Sequence, residues 1–337
     1  MTTLRIGLIG AGRIGQVHAF SLAHNTPHAK LVAVSDVLAD TAKHCAELYG
    51  ISKWTTDYTE LLSDRTIDAV LICSPTTMHS EMIVAAATSG KHIFCEKPVD
   101  LDLAGVNRAI AAVYAAGVVF MVGFNRRFDP NFVRVRSAIE NGEIGEPHIL
   151  HIVSRDPAPP SLAYIKVSGG IFLDMAIHDF DMARFLIGSE VTEIYVQASA
   201  RTDPEIRKAG DVDTALMMLR FANGVIGTID NSRKAVYGYD QRVEVFGGGG
   251  AIQTSNNYAA NVVVSDAHSI HRDLPLNFFM QRYKDSYREE IQAFIGSILN
   301  NTPPPVSAHD GRMALVIGLA AKISLRENRP VAIAEVQ

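Results

Sequence analysis

The chain has 337 residues, 47% of them hydrophobic, with 31 Lys and Arg against 36 Asp and Glu for a formal net charge of −5. That length suffices for two domains with substantial cores, and an acidic balance without any Lys/Arg-rich run excludes the electrostatic footprint of a nucleic-acid-binding protein. Cys45, Cys73 and Cys95 show no paired ligand spacing, so a reducing, cytoplasmic setting without disulfides or zinc is expected.

Leu4 to Gly10 reads as a short apolar strand with no signal-peptide pattern before it. It runs into Gly10-Ala11-Gly12-Arg13-Ile14-Gly15 and then a helix-compatible stretch to Ala23. This is the G-x-G-x-x-G turn in its required strand-to-helix context. Its glycines permit a tight turn and close approach of a dinucleotide pyrophosphate to the helix N-terminus, so Gly10, Gly12, Arg13, Ile14 and Gly15 are candidate cofactor residues. A second strand, Lys30 to Ser35, ends in Asp36, about 20 residues past the last glycine. A carboxylate there accepts hydrogen bonds from ribose hydroxyls and repels a 2′-phosphate, which favours NAD over NADP.

Further βα units follow: Asp68–Cys73 with a helix from Thr77, Lys91–Cys95 with a helix from Leu101, and Val118–Gly123. The alternation implies a parallel, doubly wound sheet with ligands at the carboxyl ends of its strands. Ser74 and Thr76 offer hydroxyls at one such end, equally readable as ordinary helix capping. Glu96-Lys97-Pro98 forms another. Before Pro98, Lys97 is restricted to extended conformations, the peptide bond is open to the cis form, and one cation can reach a substrate oxygen. The uncharged run Ala109–Asn125 approaches membrane-spanning length, but Gly117 divides it into helix and strand, so no membrane association is expected.

After Gly123 the alternation stops. Residues 124–130 read as the bridge to a second domain, and Pro130 suits the first turn of a helix ending near Asn141. Strand patterns at His148–Ser154, Val191–Ser199, Thr214–Phe221, Val225–Asp230, Arg242–Phe246 and Asn261–Val264, with turn signals at Asn223-Gly224 and the Gly247–Gly250 run, predict an open, largely antiparallel sheet. Helices are expected at Phe278–Leu299 and Ala308–Leu325. The fold class is therefore α/β: a Rossmann domain over residues 1–123 and an α+β domain over 124–337, with the C-terminal helix able to pack back on the first.

Within the second domain one continuous helix is expected from Leu173 to Phe185, after the flexible pair Gly169-Gly170. Leu173, Ala176, Ile177, Phe180 and Ala183 form an apolar stripe, and Asp174, His178 and Asp181 share another edge. A carboxylate one turn before a histidine in a helix buried on several sides points to a site with shifted pKa values, although a satisfied core histidine has the same pattern. A metal role is disfavoured, because two ligands are too few and Lys97 opposes a cation.

Together the strand-GAGRIG-helix start, Cys95-Glu96-Lys97-Pro98 and the Asp174–Phe185 segment resemble the Gfo/Idh/MocA oxidoreductases over essentially the whole chain. Gly123–Phe132, Ser154–Pro160, Tyr237–Gly247 and Phe278–Phe294 resemble that family's inositol dehydrogenases. The resemblance implies NAD-dependent oxidation of myo-inositol to an inosose, a homotetramer built through the second-domain sheet, and catalytic Lys, Asp and His at Lys97, Asp174 and His178. Relatives acting on scyllo-inositol, chiro-inositol or aldoses share much of the pattern, and a catalytically silent NAD-binding regulator is the alternative of another class. Chemistry and resemblance converge on His178 as general base and Lys97 as alkoxide stabiliser. Asp174 orients substrate or His178 and raises the histidine pKa, Arg127, Asp156 and Tyr237 hold other hydroxyls of a small polyol, and Glu96 joins the cofactor-binding set.

Overall fold

The computed structural model describes residues 3–336. In the first part of the chain, Leu4–Ile9 (β1), Ala29–Ser35 (β2), Lys53–Thr55 (β3), Ala69–Ile72 (β4), His92–Glu96 (β5) and Phe120–Gly123 (β6) form one sheet in the order β3-β2-β1-β4-β5-β6. Every pairing is parallel. The intervening helices are Arg13–His24 (α1), Ala39–Leu48 (α2), Thr59–Ser63 (α3), His79–Thr88 (α4) and Leu103–Ala116 (α5). β4 and β6 are buried along their whole length, as unbroken apolar runs must be when helices cover both faces of a parallel sheet. Gly117, at φ +64, ends α5 in the left-handed region, so the long uncharged run divides into helix and strand. Among the described residues no helix is long and apolar enough to cross a membrane.

Asp129 opens the second part by capping Pro130–Glu140 (α6), its Oδ1 accepting from the N–H of Asn131 at 3.0 Å. Then come Pro147–Arg155 (β7), Leu162–Ile165 (α7), Ile171–Asp174 (α8), Ile177–Ile187 (α9), Val191–Ser199 (β8), Pro204–Lys208 (α10), Thr214–Phe221 (β9), Ile226–Ser232 (β10), Asp240–Gly247 (β11) and Gly250–Gln253 (β12). The chain continues through Val263–Ser265 (β13), Ile270–Arg272 (β14), Phe279–Arg282 (α11), Lys284–Asn300 (α12), Ala308–Glu327 (α13) and Val331–Ala332 (β15). Seven strands form a mixed sheet in the order β12-β11-β7-β10-β9-β8-β15, antiparallel except between β7 and β10. Asn223-Gly224 turns β9 into β10, and the glycine run turns β11 into β12, as their residue types demand. The helix expected from Phe278 to Leu299 is broken, because buried Tyr283 leaves helical geometry at φ −112, ψ 19 between α11 and α12.

Two compact units result, each drawn from two segments: the chain up to Phe128 with Asp285–Leu315, and Asp129–Lys284 with the chain from Val316 onward. In the first, the returning segment is stitched in by Val122 N–H donating to the Val306 carbonyl at 3.4 Å and Asn125 Nδ2 donating to Ser286 Oγ at 3.4 Å. In the second, α9 lies on the covered sheet face, where Asn231 Nδ2 of β10 donates to Asp179 Oδ2 at 2.8 Å. Ser324 Oγ of α13 accepts from Val196 N–H of β8 at 3.0 Å.

Candidate active site

Parallel pairing in the first unit aligns the ends of four neighbouring strands. Ile9 lies opposite Ser35 and Ile72, and Ile72 opposite Cys95. The glycine turn, Asp36, Ser74 with Thr76, and Glu96 with Lys97 therefore leave the sheet at one edge. Gly10 adopts φ +91, and a Cβ there would lie 2.6 Å from the Cys73 carbonyl; at Gly15 it would lie 2.1 Å from the Gly10 carbonyl oxygen. Both glycines are thus required by close backbone approach. Gly12 differs, since a Cβ would meet nothing within 4 Å. Gly12 is also the N-cap of α1, with no capping side chain and no acidic residue in the first turn. An uncapped helix start beneath open space fits the phosphates of a dinucleotide. Asp36 Oδ2 accepts from Ala11 N–H at 2.8 Å and Oδ1 from Leu38 N–H at 2.9 Å. These bonds fix the carboxylate beside the turn, with lone pairs remaining on each oxygen for ribose hydroxyls. Arg13 is exposed and Ile14 partly so.

Lys97 follows β5 directly, is half-buried, and precedes Pro98 through a cis peptide bond. His79, which the sequence reading passed over, braces this edge: its Nδ1 lies 2.8 Å from the Pro98 carbonyl and its Nε2 2.8 Å from the Ser74 carbonyl. Burial lowers its pKa, against the opposing pull of the two carbonyls. Ser74 Oγ donates to Met82 Sδ at 3.2 Å, and Thr76 opens a short 3-10 turn. Glu96, expected beside the cofactor, is instead buried, with Oε1 2.7 Å from His18 Nε2.

In the second unit the expected single helix is two. Ala176 N–H reaches back five residues to Ile171 O at 2.8 Å, whereas His178 N–H reaches only three, to Met175 O at 3.3 Å. A wide turn followed by a tight one breaks the ladder between α8 and α9 and changes the phase between Asp174 and His178 from that of a continuous helix. The apolar stripe is nonetheless fully buried, as is Asp181, while Asp174 and His178 are partly exposed. Upstream, Gly170 adopts φ +79, and a Cβ there would lie 2.7 Å from Asp211 Oδ1, whose carboxylate accepts from Ile171 N–H at 3.2 Å. The glycine lets Asp211 cap α8.

Asp174 meets partners that no sequence pattern announced. Arg233, 1% exposed at its side chain, donates from Nη1 and Nη2 to Asp174 Oδ2 at 3.1 Å each, and Tyr164 donates its hydroxyl to Oδ1 at 2.9 Å. Asp174 is therefore an ion-paired carboxylate in this structure, shared between a guanidinium and a phenol.

Arg233 follows β10, Asp156 follows β7 and Tyr237 precedes β11. Arg155 pairs with both Ser232 and Asp240, so all three loops leave the second sheet at one edge. Ala235 N–H donates to the Asp156 carbonyl at 2.7 Å. Tyr237 donates to Asp240 Oδ2 at 2.7 Å and accepts from Arg155 Nη1 at 3.0 Å, and burial followed by the Asp240 bond raises its pKa. Burial works to raise Asp240, but hydrogen bonds from Arg242, Tyr237 and Asn256 outweigh it and hold its pKa low. Arg127 belongs to the first unit, with Nη2 2.9 Å from Asp310 Oδ1 and Nη1 donating to the Pro305 carbonyl.

A glycine turn, an uncapped helix start and a carboxylate at the next strand end define a dinucleotide-binding protein, and comparison with known proteins narrows the class. Residues 4–124 match the oxidoreductase family with an NAD-binding Rossmann fold, and residues 132–253 match the GFO/IDH/MocA C-terminal domain. A Thermotoga maritima protein named myo-inositol 2-dehydrogenase is 53% identical over 333 residues, 99% of each chain, and an inositol 2-dehydrogenase of Rhizobium meliloti is 45% identical over 98% of this chain and 100% of its own. The crystal structure of scyllo-inositol dehydrogenase from Lactobacillus casei with bound NAD(H) and scyllo-inositol superposes with a TM-score of 0.92 at 30% identity, covering 99% of this chain and 100% of that one. The chain belongs to the Gfo/Idh/MocA oxidoreductases, as an NAD-dependent dehydrogenase.

Proposed function

We propose that the protein oxidises myo-inositol at one secondary alcohol to 2-keto-myo-inositol. The observation that carries this reading is similarity along the full length to two relatives named for inositol 2-dehydrogenation, with Lys, Asp and His present at positions 97, 174 and 178. Bound NAD supplies the hydride acceptor. His178 takes the hydroxyl proton on its imidazole as general base. Lys97 donates from Nζ to the oxygen on which negative charge develops. Asp174, held by Arg233 and Tyr164, orients the substrate or His178. Asp156 and Tyr237 stand at the loop edge where hydroxyl partners of a polyol would be needed, whereas the ion pair with Asp310 gives Arg127 a structural task. A cytoplasmic homotetramer, assembled through the outer face of the seven-stranded sheet, completes the reading.

Oxidation of scyllo-inositol is the second reading, favoured by the superposition on the scyllo-inositol dehydrogenase. The two substrates differ at one carbinol centre, a distinction set by small displacements of side chains. The test is steady-state absorbance of NADH formed from NAD with myo-, scyllo- and chiro-inositol and glucose, with a chelator control. Highest kcat/KM on myo-inositol is expected. Turnover of none of them would leave a silent NAD-binding protein.

A further inference from the structure

Inside the first unit lies a cluster that none of these roles uses. His18 of α1 and Glu290 of α12 are 0% exposed and Glu96 of β5 is 8% exposed. His18 Nε2 is 2.7 Å from Glu96 Oε1, and one nitrogen or oxygen from each of the three side chains lies within 4.8 Å of the others. No group among the described residues hydrogen-bonds either carboxyl oxygen of Glu290 or Nδ1 of His18. The walls are apolar or acidic. Phe94 and Tyr287 pack T-shaped against the imidazole at centroid distances of 5.1 and 5.8 Å. Buried Cys73, Cys95 and His79 are further titratable groups that feel the carboxyls: both thiols are driven up by burial and then by Glu96, Cys73 also by Glu290, while burial lowers the His79 pKa against a smaller raising pull from Glu96.

One imidazole can balance one carboxylate. Were Glu96 and Glu290 both ionised, a net negative charge would sit in a dry core with two carboxylate oxygens unserved, a state proteins avoid by taking up a proton. We propose that Glu290 is a neutral carboxylic acid in the native protein, turned toward Glu96, and that the His18–Glu96–Glu290 triad is the positioning device for Lys97. The second half rests on the catalytic role proposed for Lys97. Glu96 and Lys97 are consecutive, so anchoring one side chain in the core between two helices fixes where the stem of the other begins. Burial, then the charge on Glu96, pushes Glu290 well above the ordinary carboxyl range. Two carboxylates and a histidine could also hold a divalent cation. The hydrogen-bond distance between His18 and Glu96, which engages the imidazole with the carboxylate itself, favours the proton.

The test uses the full-length wild type with Glu290→Gln, a neutral isostere, and Glu290→Ala. At neutral pH the wild type should show the infrared carbonyl stretch of one protonated carboxyl, absent from Glu290→Gln. Because the acid is held neutral in the fold and ionises in the unfolded chain, its stabilising effect is full below the unfolded pKa of about 4.3 and is lost as pH rises through the folded value. The melting temperature of Glu290→Gln should therefore climb relative to wild type between pH 5 and pH 8, a range chosen above that reference value. Glu290→Gln should keep most of kcat, whereas Glu290→Ala should lose about 10-fold or more by misplacing Lys97, with the KM for NAD nearly intact. A missing carboxyl band, a pH-independent melting difference, or stoichiometric zinc or manganese bound by wild type and lost in Glu290→Gln would overturn the neutral acid. Unchanged kcat in Glu290→Ala would overturn the positioning role. If no polyol is oxidised, the infrared and melting results still decide the state of the triad, so its failure and failure of the dehydrogenase reading are distinguishable.

Discussion

Asp174 is held from both sides, by Arg233 at one oxygen and Tyr164 at the other. For the proposed base, kcat/KM rises with pH as the imidazole loses its proton, since only the neutral form can accept another. His178→Ala should remove that limb and lower turnover by about 10²–10⁴-fold. pH profiles of wild type and variant at saturating NAD check this; a limb retained at near-normal rate in His178→Ala would assign the proton to another group. Lys97→Ala should cut kcat by about 10²-fold while NAD affinity stays near wild type, and a loss confined to NAD binding, measured by titration, would make it a cofactor residue. Asp36→Ala should weaken NAD and narrow its advantage over NADP, read as a ratio of kcat/KM values. At this scale the sequence was informative where chemistry is local. The glycine turn and Asp36 are spaced along one βα unit, but Arg233 reaches Asp174 across 59 positions and His18 reaches Glu96 across 78, which no periodicity encodes.

The break between α8 and α9 shows the same limit among elements. Leu173, Ala176, Ile177, Phe180 and Ala183 are all buried, so the apolar stripe correctly marked the core face. A stripe records which side is covered, however, and is indifferent to one wide turn followed by one tight turn. Strands were legible wherever alternation ran long enough, as in β8 and β9. The three residues of β3 and the two of β15 are too few to register a period, and the parallel pairing of β7 with β10 is a long-range fact. Gly170 is the turn that opens α8. Gly170→Ala should destabilise the protein by about 1–3 kcal/mol through its backbone conformation and the approach of Asp211. Gly142→Ala, with φ +72 and open space, isolates the conformational part and should cost about 1 kcal/mol. Equal melting temperatures for the two variants would remove the role given to Asp211.

Over the whole molecule, the outer face of the second sheet exposes Leu216, Met218, Ile226 and Phe246, at 59%, 60%, 50% and 46%. The ladder registers put these residues on one side, and an apolar patch of that kind is expected at an interface. If the proposed homotetramer forms there, Met218→Asp should yield smaller species in sedimentation, and the wild-type melting temperature should rise with protein concentration. A wild type that sediments as a monomer at all concentrations would exclude it. The return of residues 285–315 to the first unit has a different reach, into how such a chain can be recombined. Val306, which accepts from Val122, and Gly311, where an added Cβ would meet Val122 at 2.9 Å and Val99 at 3.2 Å, arrive more than 150 positions after the strand they support. Cutting once near Phe128 and grafting the leading fragment onto another partner would leave Glu96 without Glu290 and the last strand of the parallel sheet without its backing. A chimera between two relatives would have to exchange both segments together, so the two units are inherited as one interleaved text.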